Sequence, residues 1–157
     1  MDSGVQVAGT QTDDVVVWDA ELTQTWRSME DAGHTEEALR MLERLLGTRP
    51  DDPDVLMLQS LSLRMLERDG ESIGVLHRAV ECGKDDPGIL TRAASRYFFG
   101  GDLMRSRMCL DRARRLAPRD FPLRHDLKRL NRNLRRAEKT LNNRERLQQR
   151  RLQATQR

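Results

Sequence analysis

Cysteine is scarce. Cys82 and Cys109 are the only two in 157 residues, too few for a disulfide framework, and they fit a reducing, cytoplasmic setting. Long apolar runs are also missing. The longest uncharged stretch, Val55 to Leu63, falls far short of the roughly 20 residues a membrane span needs, so no span is expected. The opening MDSGVQVAGTQTDDVVVW has neither a basic n-region nor an apolar h-region, which argues against a secretory signal. Strand-like alternation is confined to Val5 and Val7, with no second run to pair with it. No phosphate-cradling loop is present, because Gly100–Gly101 lacks a preceding strand and a following Lys-Ser/Thr. No Gly-x-Ser-x-Gly elbow occurs either. His34, His77 and His125 are scattered and stand at no metal-ligand spacing. The carboxylate pairs Asp51–Asp52 and Asp85–Asp86 flank prolines, where helix capping accounts for them. An enzyme, a cofactor site and a metal site are therefore not expected.

What the chain does have is charge. Charged residues make up 34% and apolar residues 37%, enough for a modest core. The net charge of +3 conceals a split. Arg119 to Arg157 carries thirteen Lys/Arg against four Asp/Glu, whereas the preceding chain carries fifteen against twenty-one. An acidic body with a basic end points to an acidic partner for that end, or to a solvated face.

Helical periodicity dominates after a polar segment, residues 1–14, which reads as a mobile tail. Val15, Trp18, Leu22, Trp26 and Met29 recur at steps of three and four. Gly33 ends that helix, and Thr35 is expected to cap a second one carrying Ala38, Met41, Leu42, Leu45 and Leu46. A third helix is expected from about Asp54 to Glu67. A turn at Asp69–Gly70 follows, then a fourth helix with Ser72 as a candidate cap. Gly83 and Pro87 stop the fourth helix. The fifth runs from about Gly88 to Phe99, Gly100–Gly101–Asp102 forms a turn, and the sixth ends at Pro118. Cys82 and Cys109 fall among apolar positions and read as small core fillers.

Pro50 and Pro118 lie 68 residues apart, twice 34, and self-similarity near that period marks stacked helix hairpins. In Asp19 to Asp52 the pattern-bearing residues are Leu22, Thr25, Trp26, Met29, Ala38, Leu42, Leu45 and Pro50. In Pro87 to Asp120 they are Leu90, Ala93, Ala94, Tyr97, Gly101, Ser106, Leu110, Ala113 and Pro118. These residues resemble the tetratricopeptide repeat family, a 34-residue unit of two antiparallel helices. The middle unit, Pro53 to Asp86, departs from the pattern. A rigid register gives Leu56, Ser60, Leu63, Ser72, Leu76 and Ala79, whereas counting from Gly70 moves the closing residue to Pro87 and lengthens the first helix by three. Trp26 also departs, filling a slot where the family has a small residue. The resemblance covers residues 15–120 and implies an all-α helix-hairpin solenoid of three repeats.

It further implies a concave surface lined by the first helix of each hairpin. Carried over residue by residue, that surface comprises Thr23, Gln24, Arg27 and Glu30, then Met57, Leu58, Leu61, Arg64 and Met65, then Thr91, Arg92, Ser95, Phe98 and Phe99. Of these, Arg27, Met57, Leu61, Arg64, Met65, Arg92, Phe98 and Phe99 are the candidate partner-binding residues. They form an apolar, adaptable floor edged by arginine, suited to a peptide with apolar anchors and a carboxylate. A chaperone-type clamp for a C-terminal carboxylate would require Thr23, Arg27, Leu58, Gly88 and Arg92 to act together, and only the two arginines could serve.

Residues 121–157 read as a capping and extended basic helix opened by Asp120. Leu127, Leu130, Leu134 and Leu141 repeat in heptad fashion. Leu123 to Leu134 would cap the solenoid, and Leu127 to Leu141 would alternatively form a homodimer seam. The last fourteen residues are expected to be a frayed helix end. Arg132, Arg135, Arg136, Lys139, Arg144, Arg146, Arg150 and Arg151 could neutralise nucleic-acid phosphates, but no aromatic residue among them could stack on a base. The expected function is a protein-binding adaptor or chaperone. A self-assembling structural protein and a nucleic-acid-associated factor are the alternatives.

Overall fold

The computed structural model describes residues 20–155, and these form seven α-helices and no strand. In chain order they are α1 (Ala20–Asp31), α2 (Thr35–Thr48), α3 (Pro53–Met65), α4 (Asp69–Cys82), α5 (Pro87–Phe99), α6 (Leu103–Leu116) and α7 (Arg124–Thr155). The expected tail at residues 1–14, and the helical positions Val15 and Trp18, lie outside the described residues. No helix among the described residues is long and apolar enough to cross a membrane.

Helix ends recur at a fixed interval. Asp31, Met65 and Phe99 end α1, α3 and α5, each 34 residues after the last. Thr35, Asp69 and Leu103 begin α2, α4 and α6 with the same step. The turns between them also repeat, since Gly33, Glu67 and Gly101 have φ of +75°, +59° and +83°. Two of the three are glycine, which enters this left-handed region without a Cβ penalty. Glu67 is the exception, and it explains why the middle unit is hard to read. The turn sits at Leu66–Arg68, while Asp69 and Gly70, expected as the turn, are already inside α4. The rigid register therefore describes the middle unit, and its six residues Leu56, Ser60, Leu63, Ser72, Leu76 and Ala79 are all buried.

The starts of α3 and α5 follow from local chemistry. Asp52 and Asp86 each accept hydrogen bonds from the backbone N–H groups two and three residues on, with proline at the first helical position. Thr35 does not cap α2. His34 holds the cap position without a side-chain bond, and the Thr35 hydroxyl instead donates to Glu30 Oε2 at 2.7 Å. Ser72 is likewise no cap but a buried contact of α4.

Close helix pairing depends on small side chains at the crossing point. Between α3 and α4, Ser72 Oγ donates to the Ser60 carbonyl at 2.7 Å and Ser60 Oγ to the Ser72 carbonyl at 3.0 Å. Between α5 and α6, Ser106 Oγ donates to the Ala94 carbonyl at 2.8 Å. Trp26 occupies the matching place in α1, where such an approach is sterically barred. Its indole N–H turns to α3 and donates to Ser62 Oγ at 2.8 Å, and Leu22 is the only buried residue of α1. Successive units are also stapled. Arg78 donates to the Pro50 carbonyl and to Asp51, and Arg112, 34 residues on, donates to the Lys84 carbonyl and to Asp85. Gly83 allows the end of α4 to approach α5, since a Cβ there would lie 2.7 Å from Ile89 Cγ2.

The main core joins α3 to α6 with Phe121, Leu127, Leu130 and Leu134. Phe121 is buried in the turn before α7, so Asp120 does not open that helix. Three residues expected in a dimer seam, Leu127, Leu130 and Leu134, are thus covered within the chain, and Leu141 is 46% exposed. Arg107 ties α6 to α7 through Glu138 at 2.7 Å. Beyond it every residue from Lys139 to Thr155 is exposed, yet helical, which overturns the expectation of a frayed end. The absence of Gly and Pro and the prevalence of Arg, Gln and Leu sustain that helix. Two outcomes test this division of α7 by chemical denaturation: Leu134→Ala should cost about 2–5 kcal/mol, whereas Leu141→Ala should stay within about 0.5 kcal/mol. In the same assay Glu67→Gly should raise stability by about 0.5–1 kcal/mol by relieving the left-handed backbone.

Candidate functional site

The surface expected along α1, α3 and α5 divides into buried and open parts. Met57, at 1% exposure, and Leu58 are core residues, as is Thr91. Neighbouring helices pack closely enough to cover these positions, so they offer nothing to a partner. Leu61 is half-buried against the cluster of Leu22, Leu42, Val55 and Leu58. Glu30 is engaged internally, accepting from Thr35 and from Ser62 Oγ at 2.8 Å. Arg27, Arg64 and Met65 remain exposed.

Arg92 was expected at the open edge, and here the structure differs. Its side chain is 13% exposed and lies 3.4 Å from Asp54 Oδ1, while its Nε donates to the Gly88 carbonyl at 3.0 Å. Burial pushes the guanidinium pKa down to about 10 against the opposing pull of Asp54. Burial likewise raises the Asp54 carboxyl, with Arg92 acting against it. The pair is an internal strut between α3 and α5 rather than a ligand-binding group.

Sequence-predicted and unforeseen residues meet beside α7. Ser95, Phe98 and Phe99 of α5 face Leu123 and, from α7, Arg129, Leu130 and Asn133 across a cavity of about 350 Å³. The Phe98 and Phe99 rings meet edge to face, with centroids 5.4 Å apart. Phe98 packs on the core, and Phe99 is 71% exposed. Arg129 at the rim is bonded to Asp126 at 2.7 Å. The α7 wall escaped the sequence reading because Arg129 and Asn133 gain their role only once α7 lies beside α5. Arg27, Leu61, Arg64 and Met65 do not line this cleft, so the expected single groove is interrupted.

The thiols follow burial. Cys109 is buried in the core, and desolvation pushes its pKa up to about 11. Cys82, expected as a core filler, is exposed, with Sγ 3.8 Å from Asp51 Oδ1. Thiolate chemistry is disfavoured at both positions. Among the described residues no group of three His, Cys, Asp or Glu could hold a metal ion. The eight expected cations from Arg132 to Arg151 are all exposed. Compared with known proteins, the chain matches no family model and no curated sequence.

The strut yields a direct test. Asp54→Ala should cost about 3–5 kcal/mol in denaturant unfolding, because it leaves a buried cation unpaired. Replacing both partners, Asp54→Leu with Arg92→Met, should restore most of that loss.

Proposed function

We propose that the chain is a stack of three tetratricopeptide-repeat-like hairpins that serves as a protein-binding adaptor or chaperone. The 34-residue recurrence of helix ends, left-handed turns and inter-unit arginine staples supports the architecture. In this reading the first half of α7 is the capping helix that a terminal repeat requires. The partner segment enters the cleft between α5 and α7 and lays an apolar side chain on Phe98 and Phe99.

One observation carries the functional reading: a large aromatic side chain, Phe99, stands 71% exposed at the mouth of an apolar cavity. Exposed aromatics beside a pocket are typical anchors of an interface. The expected adaptable floor shrinks, since Met57 is buried, and the arginine edge loses Arg92 to Asp54. Recognition in the cleft therefore rests on apolar contact and on the polar side chains of Ser95 and Asn133.

A second reading has its own observation. Leu141, Leu147 and Leu152 are all exposed on the free half of α7, which favours self-association through that helix. The two readings separate in solution. Phe99→Glu should abolish capture of a partner from cell extract while leaving the far-ultraviolet circular dichroism unchanged, and capture unaffected by the substitution would place the partner elsewhere. Self-association through α7 predicts a concentration-dependent sedimentation coefficient that Leu141→Glu returns to the monomer value.

A further inference from the structure

The opposite face of the stack carries an independent feature. Two cavities, of about 360 and 480 Å³, adjoin along α4 and share the wall formed by Tyr97. The α4 residues that line them run from Asp69 to Glu81, a length of about 18 Å at 1.5 Å per residue. One end is cationic, walled by Arg64 and Arg96. The other is apolar and soft. Met104 and Met108 of α6 are 69% and 64% exposed, and Ile73 stands half exposed between the two ends.

The cationic end lacks its counter-charge. Arg96 Nη2 donates to Ser60 Oγ and Ser72 Oγ, each at 3.1 Å, but its buried Nε has no acceptor. Arg64 and Arg96 make no ion pair among the described residues. The carboxylates nearby do not fill the gap. Asp102 is held by Arg105 through both its backbone N–H and its guanidinium, at 2.9 and 2.6 Å. Asp69 lines the cavity without reaching ion-pair distance of either arginine, and Glu81 stands at the apolar end. Burial, reinforced by the nearby charge of Arg64, holds the Arg96 guanidinium below its ordinary pKa, the signature of a cation short of an anion. A carboxylate supplies the planar pair of acceptors that a guanidinium matches. Methionine supplies a surface that moulds to an irregular apolar segment.

We propose that this trough between α4 and α6 is a second docking surface, which takes a partner's peptide segment with acidic residues at one end and apolar residues at the other. The acidic end meets Arg64 and Arg96. The apolar end covers Ile73, Met104 and Met108. This site does not depend on the cleft beside Phe99, and the two can succeed or fail separately.

A random twelve-residue peptide library displayed on phage, panned against the full chain, tests it. Enriched peptides should carry Asp or Glu on one side of a cluster of apolar residues. Their synthetic, amidated forms should bind at least about tenfold more weakly to Arg64→Gln and to Met104→Ser with Met108→Ser, positions exposed enough to leave the fold intact, and should be indifferent to Phe99→Ser. Affinity should also fall with added salt. The proposal is overturned if no peptide is enriched, if the enriched peptides lack acids, or if they lose binding to Phe99→Ser but not to the trough variants. It is equally overturned if sedimentation shows a dimer that Met108→Ser dissolves, because the trough would then hold a second copy of the chain.

Discussion

Two helices approach closely only where the side chains between them are small, and this protein is organised around that requirement. Ser60 against Ser72 and Ala94 against Ser106 bring paired helices together and let hydroxyl groups bond the facing carbonyls. With those crossings in place, Leu56, Leu76, Leu90 and Leu110 interlock in one core. The turns then fall at a fixed distance from each crossing, and Gly33, Glu67 and Gly101 take up the left-handed backbone that reverses the chain. The first hairpin shows what happens when the requirement is not met. Trp26 keeps α1 from a matching approach to α2, and its indole joins a polar network with Ser62, Glu30 and Thr35 that binds α1 to α3.

Arginine does two kinds of work in the stack. Arg78 and Arg112 satisfy carbonyls at the joints between units, where no helix can supply a donor. Arg92 and Arg96 are drawn into the interior by stacking and lose hydration, and their circumstances then diverge. Arg92 finds Asp54, whereas Arg96 finds only hydroxyl and carbonyl oxygens. That difference separates a strut from a group with binding capacity to spare. The cleft beside α7 and the trough along α4 therefore differ in character, the first aromatic and the second a cation joined to flexible thioethers.

Much of the fold was legible because its determinants are local. The aspartate–proline starts at Asp52 and Asp86 declare themselves by residue type, as do the glycine turns and the three- and four-residue apolar spacing. The misreadings arose where a local signal pointed the wrong way. Gly70 drew the turn three residues late because the true turn residue, Glu67, is not a glycine. Asp120 resembled a cap, yet burial of Phe121 delays the start of α7 to Arg124.

Sequence alone thus determined the seven helices, the 34-residue period and the crossing residues, since propensity, capping and turn chemistry act over a few neighbouring positions. Only the tertiary structure decided which side chains face outward. Met57 and Phe99 both occupy candidate groove positions, and only the packing of neighbouring helices covers the first and leaves the second bare. Arg92 and Arg96 stand one helical turn apart on α5, and proximity to Asp54, a residue 38 positions away from Arg92 in the chain, gives a counter-ion to one and none to the other. Burial and charge pairing depend on distances between remote segments, which exist only after the helices have stacked.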